Sequence, residues 1–300
     1  MAHDLSFRAL HSGSIATITD VGCRAREGGR GAEEVSLWDE IVFPRSGAFL
    51  MYVGSTEVLA DAGHAVFLNR GEPYRVSHPV TPGDENTVLS FPRALLAEAF
   101  VGVDAGTGGW RFPMTHCPIG PGVSLVLQGL RRHLDRGGPP SSTLAVDEMS
   151  LDLLRAVARE TRRREGRRPS GARCETRRRR AGIVEETRHI LGRSYRDATG
   201  LAAIASQVGT SPFHLTRIFR QETGTPLHRY RGLLRLREAL DRLVGGENDL
   251  TALALHLGYS SHSHFTGSFR AVFGMSPSAF RRGPSPIAFR ALRKILEAQS

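Results

Sequence analysis

The 300-residue chain has almost no lysine, only three cysteines and no long run of apolar residues. No stretch approaches the ~20 apolar residues of a membrane-spanning helix, so we expect no membrane segment. The start, Met1 to Asp4, is neither basic nor followed by an apolar segment, which predicts a cytoplasmic protein without a signal peptide. Cys23, Cys117 and Cys174 are far apart and form no CxxC pair, which argues against a disulfide framework or a structural zinc site.

The net positive charge of the chain is confined to its C-terminal part. Residues 1–172 carry 19 Lys and Arg against 20 Asp and Glu, whereas residues 173–300 carry 21 against 10. Lys294 is the only lysine, so the excess is arginine. Such an excess is typical of a part that binds a polyanion, although a charge that only aids solubility is the alternative.

The N-terminal half has the pattern of a small β-sandwich or barrel, since short apolar runs alternate with Gly and Pro over residues 15–95. After Gly120, apolar residues recur at helical spacing, which predicts a helical hairpin over about 120–163. The predicted strands are Leu37–Phe43, Ala48–Val53, Ala65–Asn69, Tyr74–Ser77 and Thr87–Phe91, and the predicted helices are Val123–Leu134 and Leu144–Arg163, with the turn at Asp135–Ser142.

The chain is expected to be α+β with two domains. Arg162–Arg180 is dense in charge, lacks apolar periodicity and contains glycine and proline, so we predict a solvated linker there. The expected divisions are a cupin-like domain at 1–165, a basic linker at 166–180, a DNA-binding domain at 181–283 and a tail at 284–300.

The segment after the linker contains an internal repeat with an offset of fifty residues. Each copy has the pattern helix, tight turn, helix, over about 201–222 and 250–273. Too many identities fall at one offset for an ordinary helical hairpin to explain them. The first-copy residues Ser211, Thr216, Phe219, Arg220, Gly224 and Arg231 recur as Ser261, Thr266, Phe269, Arg270, Gly274 and Arg281.

Each copy also has the signals that begin, turn and end a helix. Ser211 is a predicted N-cap with Pro212 at the first helical position, and Ser260 or Ser261 is the cap of the second copy. Gly209 and Gly258 permit the left-handed turns, and Gly224 and Gly274 end the second helices. A small residue precedes each turn glycine by four positions, where the two helices cross closely: Ala205 and Ala254.

With these features the sequence resembles the AraC/XylS family of bacterial transcription regulators over Ile183–Arg282. The most specific residues belong to the second copy and its tail: Ala254, Gly258-Tyr259-Ser260, Phe265, Phe269-Arg270, Phe273-Gly274, Ser276-Pro277 and Phe280-Arg281. The resemblance implies two three-helix subdomains joined by a long helix at about Leu227–Leu243. Their recognition helices would enter successive major-groove segments ~34 Å apart.

The resemblance also implies roles for single residues. Arg217 can hold guanine with two hydrogen bonds, and Phe213 can pack on a thymine methyl group. Gly267 departs from the family, in which arginine is common at that position. The implied base-reading residues are Phe213, Thr216 and Arg217 in the first unit and His262, Ser263 and His264 in the second. Arg220 and Arg270 suit phosphates, and Leu215, Ile218, Phe219, Phe265 and Phe269 suit the core.

The N-terminal half resembles, by pattern alone, the cupin-like sensor and dimerisation domains of this family. The run from Gly63 to Ser77, GHAVFLNRGEPYRVS, carries that resemblance. The partners implied are double-stranded DNA, RNA polymerase, a small-molecule effector and a second copy of the chain. No cofactor is implied.

The alternative function is a cupin-type metalloenzyme fused to a DNA-binding module. Metal-binding cupins carry a close His-x-His and a downstream Glu, whereas His64 and His78 stand apart with Glu72 between them. His262 and His264 lie on a predicted helix, where residues two apart diverge. We find no nucleophile elbow, HExxH or phosphate-binding glycine loop, and therefore expect no catalytic residue and no metal ligand.

Overall fold

The computed structural model describes residues 4–24, 30–78, 83–100, 109–135, 143–165, 174–197 and 199–282. The first half is rich in β-strands and the second half is helical, so the expected α+β class with two parts is confirmed. The predicted tail at 284–300 and nearly all of the predicted turn at 135–142 lie outside the described residues. None of the described helices combines the length and the apolar character that crossing a membrane requires.

Ten antiparallel strands form two sheets in the N-terminal part. The strands are β1 Asp4–Ser12, β2 Thr17–Arg24, β3 Glu34–Val35, β4 Glu40–Ser46, β5 Ala48–Val53, β6 Thr56–Asp61, β7 His64–Leu68, β8 Pro73–Ser77, β9 Asp84–Ser90 and β10 His116–Pro118. One sheet has the order β1-β2-β9-β4-β7-β10 and the other the order β3-β8-β5-β6. Within the described residues no ladder joins the two sheets, so the cupin-like fold is an open sandwich.

Strand alternation gives the larger sheet two buried faces. Ile41 and Phe43 on β4 pack in a core with the helices, whereas Val42 between them packs in a second core against the smaller sheet.

The five predicted strands correspond to β4, β5, β7, β8 and β9. The other five strands were not predicted, and two of them, β3 and β10, have only two and three residues.

Three helices cover the outer face of the larger sheet: α1 Arg93–Ala99, α2 Pro121–Asp135 and α3 Thr143–Glu165. The predicted helical hairpin is therefore confirmed as α2 and α3. Leu125 on α2 is fully buried and belongs to the hydrophobic core of the C-terminal part, not to that of the sheets. The hairpin thus has one side on each part of the chain.

The C-terminal part has seven described helices: α4 Cys174–Ser194, α5 Leu201–Gln207, α6 Pro212–Thr223, α7 Leu227–Val244, α8 Leu250–His256, α9 His262–Phe273 and α10 Pro277–Arg282. The linker predicted at 166–180 is wrong from Cys174 onward, where α4 begins. Arginine and glutamate are good helix formers, and this run continues into the turns that bury Val184 and Leu191. Residues 166–173 lie outside the described residues.

The helix α7 is shared by two separate hydrophobic cores. Leu227, Tyr230 and Leu234 near its start pack with α4, α5 and α6. Leu240 and Leu243 near its end pack with α8, α9 and α10. Two three-helix subdomains joined by a long helix are therefore present, as the resemblance implied.

Candidate nucleic-acid interface

Both helix-turn-helix units have the predicted glycine turn. Gly209 and Gly258 adopt left-handed φ angles of 62° and 77°. Just after each glycine, an amide closes the turn: that of Thr210 donates to the carbonyl of Ala205 (2.9 Å), and that of Tyr259 to Ala254 (3.0 Å). A Cβ atom at Gly258 would overlap the carbonyl oxygen of Arg196, whereas one at Gly209 would meet nothing. The second turn therefore requires glycine for space as well as for conformation.

Serine hydroxyls begin both second helices, and glycines end them. Ser211 Oγ accepts from the amide of His214 at 3.2 Å, and Ser261 Oγ accepts from that of His264 at 3.1 Å. Of the two predicted caps, Ser261 is therefore the cap and Ser260 is not, because the hydroxyl of Ser260 lies one residue too early and contacts His264 Nδ1 at 3.2 Å. Gly224 and Gly274 end the helices at φ angles of 72° and 73°, as predicted.

The outer face of α6 presents the residues predicted to read bases in the first unit. Phe213 is 80% exposed, although burying an aromatic ring is normally favourable. Arg217 is exposed and Thr216 is half-buried, and both line a surface depression with Arg220. The opposite face packs inward, and the predicted core residues Leu215, Ile218 and Phe219 are fully buried.

The outer face of α9 is smaller and more polar. His262, Ser263 and His264 are exposed, but His264 already packs edge-on against the ring of Tyr259, with centroids 5.2 Å apart. Gly267 is exposed and has open space beside it. The two units therefore offer different surfaces, since an arginine on α6 corresponds to a glycine on α9. The predicted core residues Phe265 and Phe269 are fully buried.

Arginines on these faces differ from those behind them in their partners. Arg217, Arg220 and Arg270 are exposed and take part in no ion pair within the described residues. By contrast, Arg196 and Arg242 are both bound to the carboxylate of Glu238, at 2.6 and 2.9 Å. The helices thus turn their uncompensated positive charge outward.

Two side chains of α7 hold the subdomains together, and neither was predicted. Arg235 donates to the carbonyl of Gly258 (2.9 Å) in the second turn and to that of Tyr195 at the end of α4. Glu238 is buried and accepts from Tyr195 and Arg196. Burial opposes the negative charge of Glu238, but these hydrogen bonds outweigh it and lower its pKa. Charged residues at inward-facing positions of α7 were the only signal in the sequence.

Family models match both parts of the chain. A helix-turn-helix domain model matches residues 204–283, which include both recognition helices. A model described as an AraC-binding-like domain matches residues 7–157, half of the chain. The chain belongs to the AraC family of transcription regulators. The resemblance inferred from the repeat is thereby confirmed.

Two curated transcription regulators are each similar to about three tenths of this chain. RhaS, a transcriptional activator of Escherichia coli O157:H7, is 36% identical over 89 residues, 30% of this chain and 32% of the relative. GlxA, a transcriptional regulator of Rhizobium meliloti, is 38% identical over 87 residues, 29% of this chain and 26% of the relative. The chain thus spans a third or less of the length of these two relatives.

Solved structures of ToxT from Vibrio cholerae match nearly the whole length of the chain. ToxT from Vibrio cholerae, bound to an unsaturated fatty acid, is 11% identical to this AraC-family chain. The match covers 89% of this chain and 94% of that chain, with a TM-score of 0.35.

In the AraC-binding-like domain, a cavity of about 300 Å³ lies between the two sheets. Its walls are largely apolar side chains from both sheets, such as Phe49, Met51 and Val88. Glu40 also lines it, and burial raises the pKa of that carboxyl group. Within the described residues no lysine or arginine lines this cavity. The cavity can hold a small molecule that has apolar surface and no anionic group that would require a lysine or arginine partner.

The residues of the metalloenzyme alternative do not meet in this cavity. Of His64, Glu72 and His78, only His78 lines the cavity. His64 is buried on the other side of β7 beside Asp61, at 2.7 Å. Glu72 accepts from Asn69 (2.7 Å) and pairs with Arg111 (3.1 Å). His262 and His264 lie on α9 in the other part of the chain. The ligand set that the alternative needs is therefore dispersed.

A buried polar cluster joins the AraC-binding-like domain to the first DNA-binding subdomain. Asp61 on β6 accepts from Tyr230 on α7 (2.6 Å) and from Nδ1 of His64 (2.7 Å). Nε2 of His64 accepts from Arg188 on α4, whose guanidinium also donates to the carbonyl of Leu59 at 3.1 Å. All four polar side chains are nine-tenths or more buried.

The titration of this cluster follows from its burial. Burial and the charge of Arg188 lower the pKa of His64 to about 4, so the ring is neutral at pH 7. Burial alone would raise the pKa of Asp61, but the ring N–H of His64 and the charge of Arg188 hold it below its usual range. The cluster at neutral pH is therefore one carboxylate, one guanidinium and two neutral hydrogen-bonding groups.

A second cluster joins α7 to the sheets through Asp241. Its carboxylate accepts from Arg45 on β4 (3.0 Å) and from Arg131 on α2 (2.9 Å). Arg131 also pairs with Asp20 on β2 at 3.1 Å. Between the two clusters, buried Arg237 donates to Ser124 on α2 at 3.2 Å. The helix that carries both recognition units is thus fastened to the AraC-binding-like domain along its length.

Proposed function

We propose that the chain binds duplex DNA at specific sequences and thereby regulates transcription. The observation that carries this proposal is the pair of capped recognition helices on one shared helix, each with an exposed arginine that no described carboxylate neutralises. Counterion release from phosphates supplies affinity for such a surface, and base-edge contacts supply specificity. The half-chain match to a family model of this class supports the same function.

The contacts proposed for the two helices are unequal. Arg217 holds a guanine, Phe213 packs on a thymine methyl group and Thr216 contacts a neighbouring base edge. On α9, His262, Ser263 and His264 read bases through single hydrogen bonds, a weaker form of discrimination. Arg220 and Arg270, one turn further along each helix, bind phosphates. The support for these roles is exposure on one helix face, opposite a buried apolar face.

Three further partners belong to the proposal: a small-molecule effector, a second copy of the chain and RNA polymerase. The cavity between the sheets supports the effector, because it is closed largely by apolar side chains. Leu144 at the start of α3 is 67% exposed and supports dimerisation through the outer face of the hairpin. The inner helix α2 is already covered by α7.

We also propose that the chain acts in the cytoplasm as a regulator without enzymatic turnover. The domain divisions proposed are 1–165 for the sensor and 181–283 for DNA binding. The helix α4 begins before the second division, at Cys174, and continues into it. The dispersal of His64, Glu72 and His78 supports the absence of a cupin-type catalytic centre.

The deciding experiment selects duplexes from a random pool with the full chain and sequences those that bind. We expect an enriched motif with two elements about one helical turn apart, and an affinity that falls steeply with salt. The matched control is Arg155→Ala, which removes an exposed arginine of α3 and should leave the motif unchanged. Equal recovery of all sequences would overturn the proposal.

A further inference from the structure

Three side chains with the chemistry of metal ligands meet in the wall of the cavity between the sheets. Cys23 lies near the end of β2, His78 directly follows β8, and Asp84 begins β9. Each offers one ligand atom, and these atoms all lie within 4.8 Å of one another. All three residues are buried and line the cavity.

The sheet register is the reason that these residues meet. Cys23 and Asp84 are directly opposite each other in the β2–β9 ladder, so their side chains leave the same face of the larger sheet. His78 reaches the same place from the smaller sheet, with Nε2 at 2.8 Å from Asp84 Oδ2. No local sequence pattern marks this cluster, because its members lie on three separate segments of the chain with no short spacing between them.

We propose that Cys23, His78 and Asp84 bind a divalent transition-metal ion of the zinc class. A thiolate and an imidazole select zinc or cobalt over magnesium or calcium, which prefer oxygen ligands. The thiolate and the carboxylate together carry two negative charges, which neutralise the ion in a buried place. Zinc ligands in a tetrahedral site lie about 3.5 Å apart, so small side-chain rotations bring these atoms into range.

The fourth position of such an ion opens to the cavity. Asn86, two residues after Asp84 on the same face, donates to Asp84 Oδ1 and so fixes the carboxylate. Its own Oδ1 is buried beside the cavity and has no hydrogen-bond partner within the described residues. A water or effector atom bound to the ion would donate to that oxygen. Three protein ligands with an open position are the arrangement of an ion that binds another ligand, not of a closed structural site.

A buried His–Asp pair without a metal is the competing explanation. That pair needs only His78 and Asp84, and the thiol of Cys23 would then be an ordinary buried group. The two explanations therefore differ in whether the sulfur binds a metal ion. A thiolate–cobalt bond has a charge-transfer absorption in the near ultraviolet that oxygen and nitrogen ligands do not give.

The experiment titrates Co²⁺ into the full chain after reduction and treatment with a chelator. We expect one equivalent to produce the charge-transfer band together with the visible bands of a tetrahedral ion, and one equivalent of Zn²⁺ to remove both. Cys23→Ser should abolish the charge-transfer band. Cys117→Ser is the matched control and should keep it, because Cys117 is buried on β10 against the helices.

Asp84→Asn keeps the thiol and should weaken Co²⁺ binding at least about tenfold. Absence of the charge-transfer band in the unaltered chain, or its persistence in Cys23→Ser, overturns the proposal. Loss of the band in Cys117→Ser alone would do the same. Because the signal comes from the ion itself, this result is independent of DNA selection, and either proposal can fail without the other.

Discussion

Tyr230 donates a hydrogen bond of 2.6 Å to Asp61, a carboxylate that lies 169 residues earlier in the chain. The bond connects the helix that carries both recognition units to β6, at the edge of the smaller sheet of the AraC-binding-like domain. It is buried, as are Arg188 and His64 around it. A polar contact of this kind fixes how the two parts of the chain meet, because any other arrangement leaves buried charges unpaired.

Asp61→Asn should destabilise the chain much more than loss of a surface carboxylate does. The substitution leaves buried Arg188 without its full compensation, and we expect the free energy of unfolding to fall by about 3 kcal/mol. Denaturation by urea at pH 7 measures the change. Glu33→Gln, which breaks the exposed pair with Arg75, should cost less than about 1 kcal/mol. Similar losses in the two variants would contradict the importance of the cluster.

Stability should decrease as the pH falls from about 6.5 towards 4. The unfolded chain binds a proton at His64 below pH 6.5, but the folded chain resists it until about pH 4. Acid therefore favours unfolding, and His64 alone contributes about 3 kcal/mol across this interval. Burial lowers the pKa of His116 to about 3, which adds to the effect.

The slope of unfolding free energy against pH measures this contribution. His64→Gln should flatten the slope, because the group that takes up the proton is gone. His228→Gln, at an exposed position of α7, should keep it. If the slopes of the unaltered chain and His64→Gln coincide between pH 6.5 and 4, His64 is not the group responsible.

Arg217→Ala should relax the preference at one or two base pairs and cost ~1–3 kcal/mol of binding. Arg270→Ala should weaken binding to all sequences about equally, because a phosphate contact carries no base information. Titrations against single-base variants of the selected site distinguish these results. If Arg217→Ala keeps the base preference and His264→Ala removes it, the proposed inequality of the two helices runs the wrong way.

Gly258→Ala should damage the second unit more than Gly209→Ala damages the first. Both positions are left-handed, which costs a residue with a side chain roughly 1–2 kcal/mol. Only at Gly258 does the added methyl group also meet a carbonyl oxygen, that of Arg196. Thermal unfolding of the two variants gives the comparison, and a larger loss in Gly209→Ala would refute it.

The sequence predicted the features that depend on neighbouring residues. Caps, turn glycines and helix ends in both repeats follow from local backbone chemistry, and they were confirmed apart from the shift from Ser260 to Ser261. The linker predicted over Cys174–Arg180 is instead the start of α4, because charge density alone does not distinguish a solvated helix from a linker. Local patterns were least informative for the shortest strands, β3 and β10, which have two and three residues.

Contacts between distant segments could not be predicted from local patterns. Asp61, Arg188 and Tyr230 each have an ordinary sequence context, and only the fold brings them together. The same holds for the pairing of Cys23 with Asp84 across two strands. Without information on which positions vary together, nothing in a single sequence marks such pairs.

The sharing of α7 by two hydrophobic cores has a consequence for how the binding site can evolve. The helix has 18 residues and is about 27 Å long. One inserted residue would lengthen it by about 1.5 Å and rotate everything beyond the insertion by about 100°. This rotation would turn the second recognition helix away from the major groove. It would not simply shift the helix along the groove by one base pair. Single-residue insertions in α7 therefore cannot adjust the protein to an operator with a slightly different spacing. This protein can change its target sequences mainly by substitutions at the fixed positions of its recognition helices.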